Sequence, residues 1–181
     1  ELYDSDSPPG ETITQYMEKE FSGEAHEGET PPRIINEVLS FAADAAAHID
    51  AAEPHVTKNR EEFERLRNDI RCVEAMSKSY CAKVEAAMMV LRYRHGRDIA
   101  YMQKALPLLE ESLEHYKKLA ELTKDTYRYA CGFVGRQRVP IHGVKHWSEM
   151  VGMYEKELAD FMEEIADIEQ GVDSGWRANR N

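Results

Sequence analysis

No glycine or proline interrupts the chain from Asn59 to His95. Within that stretch apolar side chains recur at alternating steps of three and four: Phe63, Leu66, Ile70, Val73, then Tyr80, Val84, Ala87 and Leu91, with Ser77 the one polar residue in the series. A helix turning every 3.6 residues gathers all of these on one stripe. The spacing therefore predicts one unbroken helix of roughly 35 residues and about 50 Å. A rod of that length needs partners along its whole extent, and the remaining sequence must supply them.

It does so with three more helices of the same kind. One is expected from a cap near Thr30, with Pro31 and Pro32 in its first turn and a stripe of Ile35, Val38, Ala42, Ala45, Ile49 and Ala52, ending before Pro54. The long helix starts at Asn59, with Glu61 and Glu62 favouring its positive end, and closes at Gly96 after Arg92, Arg94 and His95. The next follows at once from Asp98 with Ile99, Met102, Leu106, Leu109, Leu113, Tyr116 and Ala120, reaching about Ala130. So short a turn makes these two helices antiparallel. Pro107 should kink or split the second of them. The last runs from about Trp147 to Gln170 on Trp147, Val151, Tyr154, Leu158, Phe161, Ile165 and Ile168, closed by Gly171. A short helix over Thr12 to Phe21, capped by Thr12 or Thr14, precedes them all.

The expected fold class is all-α: an antiparallel bundle of four long helices, with a short N-terminal helix and a long loop before the last helix. Residues 1–11 read as a linker, 12–171 as the bundle domain and 172–181 as a disordered tail. A tetratricopeptide-like array is the competing architecture, but no second copy appears at its repeat length. Glu1 is not an initiator, so the chain is expected to be a processed product or a piece of something longer.

Composition removes several function classes. A net charge of −11 disfavours nucleic acid, which needs a basic field. The longest apolar run, Ala86 to Leu91, is too short to span a bilayer. Of the three cysteines, Cys72 and Cys81 are about 13 Å apart along one helix and cannot bond to each other; all three read as buried thiols. No histidine has an acid three residues before it, so the Glu-x-x-His pattern of a di-iron bundle is missing and no metal or other cofactor is expected. Zinc spacing, nucleophile elbow, P-loop and dinucleotide fingerprint are missing too. The pairs Asp44/His48 and Glu111/His115, each four apart, read as surface hydrogen bonding.

The segment Tyr127 to Trp147 departs from the helical pattern in a chemically loaded way. Tyr127, Tyr129, Arg136, Gln137, Arg138, His142, His146 and Trp147 make a basic and aromatic cluster in an acidic chain. Aromatic faces with Arg, Gln and His donors suit a sugar or a carboxylate-bearing ligand. They equally suit a connection that crosses the end of a bundle, its Arg groups bonding helix carbonyls.

Three pieces carry a family resemblance: YMEKEFSGEAHEGETPPRIINEV (Tyr16 to Val38), ALPLLEESLEHYKKLAELTKDTYRYA (Ala105 to Ala130) and RQRVPIHGVKHWSEMVGMYEKELADF (Arg136 to Phe161). Together they resemble the helical C-terminal region of large secreted proteins of glycan-degrading gut Bacteroidetes, among them glycoside hydrolases. The resemblance implies a periplasmic or extracellular location. The catalytic acids of such a protein would lie upstream of this chain. The expectation is then a non-catalytic accessory or interaction domain, not itself an enzyme, partnered by an upstream domain, another protein or a glycan. A stand-alone tetratricopeptide-like interaction module is the alternative.

Overall fold

A computed structural model describes residues 9–127 and 146–171. The expected linker, apart from residues 9–11, and the expected tail fall outside those residues. The architecture is all-α, as the periodicity requires. Among the described residues five α-helices follow in order: α1 (Ile13–Ser22), α2 (Pro31–Ala52), α3 (Arg60–Gly96), α4 (Ala100–Thr123) and α5 (Trp147–Glu169), with a 3-10 turn at Glu53–His55 after α2. Among the described residues the only β-type pairing is an isolated bridge between Gly10 and Glu29.

α3 is the spine. At 37 residues it spans about 55 Å. α4 packs along it, α2 and α1 also lie against it, and α5 packs along α4. The pairings Ser79–Ser112 and Asn68–Leu122 make α3 and α4 antiparallel. Gln103 with Glu169 and Lys117 with Glu155 do the same for α4 and α5.

The α3/α4 contact is built from small residues. Ala75, Ser79, Ala82 and Ala86 are buried at helical spacing on α3, and Ala105, Ser112 and Ala120 on α4. Without bulky side chains between them the two backbones come close enough for reciprocal bonds. Ser79 Oγ donates to the Ser112 carbonyl at 2.9 Å, and Ser112 Oγ donates to the Ser79 carbonyl at 2.8 Å. Each buried hydroxyl thereby has a partner, which removes the cost of desolvating it. Two apolar clusters flank this contact. Met17, Ile35, Cys81 and Met88 join α1, α2 and α3, and Cys72, Ala75, Tyr116 and Leu119 join α3 to α4. Cys72 and Cys81 are buried free thiols whose pKa values are raised by that burial.

The buried face of α3 is not the stripe expected from spacing. Leu66, Val73 and Tyr80 remain 51%, 52% and 48% exposed, and Phe63, Ile70, Val84, Ala87 and Leu91 are only half-buried. The α4 contact selects the small-residue face because two helices approach most closely where side chains are short. On α2, Ile35, Ala42 and Ile49 of the expected stripe are buried and Val38 is half-buried, but Ala46 is buried in place of Ala45, and Ala52 is exposed. On α5 the expected stripe is the covered one, although only Ile165 is fully buried.

Helix ends differ in detail. Thr12 caps α1 in a reciprocal capping box with Gln15. The left-handed residue closing α3 is Arg97 (φ 56°), one beyond Gly96, and its N–H bonds the Tyr93 carbonyl at 2.7 Å. α4 runs continuously through Pro107 but stops at Thr123, earlier than the expected end near Ala130. Beside the first helix, Glu11 accepts from the Glu27 N–H at 2.8 Å and pairs with Lys19 at 2.9 Å. His26 bridges Glu11 and Glu20 at 2.7 and 2.9 Å and stacks on Tyr16.

Candidate functional site

The last residue described after α4 and the first residues of α5 meet at one end of the helices. The ends of the 127–147 segment are therefore neighbours in space. The Tyr127 and Trp147 rings lie edge to face with centroids 5.7 Å apart, and His146 stands 5.5 Å from Trp147, also edge-on. α3 supports them from below. The Asn68 amide donates to the Leu122 carbonyl at 3.1 Å and to Thr126 Oγ1 at 3.4 Å, satisfying oxygens at the C-terminal end of α4. Asp69 accepts the Tyr127 hydroxyl proton. That carboxylate, and then burial, push the Tyr127 pKa up to about 12, so the phenol stays protonated and serves as a fixed donor.

His146 caps α5. Its Nδ1 accepts from the Ser148 N–H at 3.2 Å, and Glu149 returns a bond to the His146 N–H at 2.7 Å. A ring nitrogen that accepts in this way carries no hydrogen, so the ring proton sits on Nε2. Nε2 is buried and bonds none of the described residues. This corner thus offers aromatic faces, with a buried N–H behind them. Of the eight residues expected to bind a ligand, Tyr127, His146 and Trp147 are brought together. Tyr129, Arg136, Gln137, Arg138 and His142 lie outside the described residues.

A concavity that no single stretch of sequence signals lies elsewhere. A groove of about 640 Å³ runs between α1, α3, α4 and α5. Ala86, Val90, Leu91, Leu109 and Phe161 give it an apolar floor, and Lys83, Lys156, Glu157 and Asp160 line it as well. Lys83 pairs with Glu157 at 2.6 Å and Lys156 with Asp160 at 2.6 Å. These carboxylates are held by cations of the same groove, so neither stands as an isolated general acid. The only sequence signal for the groove was the run of small and medium apolar residues at Ala86 to Leu91, which reads equally as packing. Among the described residues no three His, Cys, Asp or Glu side chains gather as a metal site would require. No helix there is long and apolar enough to cross a membrane. His48 bonds the Asp44 backbone carbonyl at 2.6 Å, and His115 lies 3.5 Å from Glu111, as surface pairs.

No protein-family model matches the chain, and no curated protein matches it either. A solved structure does. The chain is similar to a glycoside hydrolase: 40% of residues are identical over 90% of this chain, with a TM-score of 0.82. The neighbour is a GH138 enzyme targeting pectin rhamnogalacturonan II, and this chain spans 24% of that protein's length. The likeness overturns the expectation of a non-catalytic accessory or interaction domain, with its tetratricopeptide-like alternative, and the expectation that the chain is not an enzyme. The physical reason for the error is scope. Acid–base pairs within 181 residues report only on the part of an enzyme that those residues cover.

Proposed function

We propose that this chain is the helical part of a longer glycoside hydrolase, exported from the cell, that cleaves a pectic glycan of the rhamnogalacturonan II kind. The observation carrying this reading is the 40% identity sustained over 90% of the chain to an enzyme acting on that glycan. Identity at that level over nearly the whole length exceeds what a shared helical architecture requires. The family resemblance of the sequence points the same way.

Within this reading Tyr127 and Trp147 present their rings to the acidic sugar chain, with His146 buried behind them. Aromatic faces stack on the apolar sides of sugar rings, and N–H donors suit uronate carboxylates. Chemistry at the residues themselves supports the assignment. Tyr127 is held in position by its bond to Asp69, which takes its one hydroxyl hydrogen, and His146 Nε2, behind the two rings, is a buried side-chain nitrogen that the described residues leave unbonded.

The test is product analysis. The full-length protein is incubated with rhamnogalacturonan II, and released saccharides are followed by mass spectrometry. Saccharide release is expected, and Trp147→Ala should raise KM more than it lowers kcat. A folded full-length protein that leaves the glycan intact contradicts the reading.

A further inference from the structure

Part of the α3 stripe that sequence spacing marks as the natural seam for a partner helix stays open among the described residues. Leu66, Val73 and Tyr80 follow one another at intervals of seven, so they stand in one line along about 21 Å of helix surface. Each is about half exposed, although surface helices place such residues inward. Toward the C-terminal end of the line, Tyr80 lies near Tyr154 of α5, whose pKa is raised first by burial and then by Tyr80; the adjoining Met153 is 55% exposed and lines the apolar groove. Open seam and groove therefore adjoin.

We infer that this seam is the seat of another part of the same polypeptide, an apolar helix or sheet face of the glycoside hydrolase beyond these residues. The inference rests on the functional reading above. Two observations choose this occupant. First, the chain spans 24% of the solved neighbour's length, so an enzyme of that size has ample further surface to cover the seam. Second, the charges flanking the seam are already engaged within the chain. Arg67 pairs with Glu53 and Glu64, Glu74 with Arg71 and Lys78, and Lys83 with Glu157. A zipper between two copies of this chain would need such flanking charges for cross-strand pairing.

Hydroxyl-radical footprinting of the full-length protein tests this. Phe41 on α2 (68% exposed) and Met162 on α5 (50% exposed) are internal references. Each rate is normalised to the intrinsic reactivity of its residue type. Leu66, Val73 and Tyr80 should be oxidised several-fold more slowly than the references at every protein concentration. In the Leu66→Glu/Val73→Glu variant the protection of Tyr80 should vanish while helix content is retained. Equal oxidation of seam and references overturns the inference. So does protection that appears only as concentration rises, because the occupant is then a second copy. Glycan cleavage is measured on the same preparation: a protected seam without cleavage defeats the enzyme reading alone, and cleavage with an unprotected seam defeats this inference alone.

Discussion

At the scale of the residue, the most constrained spot is the link between the first helix and the chain before it. Glu11 is almost fully covered, and burial by itself would raise its pKa. The Glu27 N–H, His26 and Lys19 outweigh that and hold it down at about 2. His26 is raised, first by its bond to Glu20 and then by Glu11, and Glu20 is lowered by His26. The signs then fix the pH response. A raised histidine contributes stability that is complete below its ordinary value of 6.5 and is lost as pH climbs through the raised one. The lowered carboxylates contribute stability that is complete above 4.5 and is lost as pH falls through their lowered values. Melting temperature should therefore peak between about pH 5 and 6.5 and decline on both sides. Along its alkaline limb, His26→Gln should flatten the profile; an unchanged slope between pH 6.5 and 9 would show that the bridge carries no stability. A second residue-scale outcome concerns the helix crossing. Ser79→Ala removes one buried hydrogen bond and should cost about 1 kcal/mol. Ser79→Leu forces the helices apart and should cost about 3 kcal/mol, read by urea denaturation. Similar costs for both would mean that the close approach is not enforced at this position.

At the scale of the element, helix identity follows from periodicity, but the buried side of a helix follows from who packs against it. The α5 stripe from Trp147 to Ile168 is the covered one, because a single groove of α4 and α3 receives it. On α3 the apolar 3-4 series was legible, yet Ala75, Ser79, Ala82 and Ala86 form the tightest contact. Hydropathy ranks a large side chain above a small one, whereas backbone approach rewards the small one. Helix ends carry the same lesson. Gly96 has the right chemistry for a left-handed cap, but the hydrogen bond to Tyr93 is made one residue later, by Arg97. An L-residue there is strained by roughly 1 kcal/mol. Arg97→Gly should accordingly raise stability by about 1 kcal/mol, or the melting temperature by about 2–4 °C. A fall would mean that the stacking of Arg97 on Tyr93, 5.8 Å to the ring centroid, outweighs the strain.

At the scale of the whole molecule, α3 is a spine with two unlike sides. One is closed by α4 over small residues and paired serines. The other presents Leu66, Val73 and Tyr80 outward beside an apolar groove. The all-α class was legible because four amphipathic stretches of such length have few alternatives. Of the candidate corner, only the meeting of Tyr127, His146 and Trp147 can be followed, and it arises because α4 ends where α5 begins. The groove was not legible, because it is assembled from four helices and no single stretch signals it. The likeness to an enzyme was equally hidden from motif logic, as the sequence carries no nucleophile elbow, P-loop or dinucleotide fingerprint. It rests on overall likeness to a glycoside hydrolase of which this chain covers 24%. The most direct measurement is the release of saccharides from rhamnogalacturonan II by the full-length protein. Saccharide products that accumulate in proportion to enzyme are the predicted result, and an intact glycan after exposure to folded, full-length protein would contradict the account.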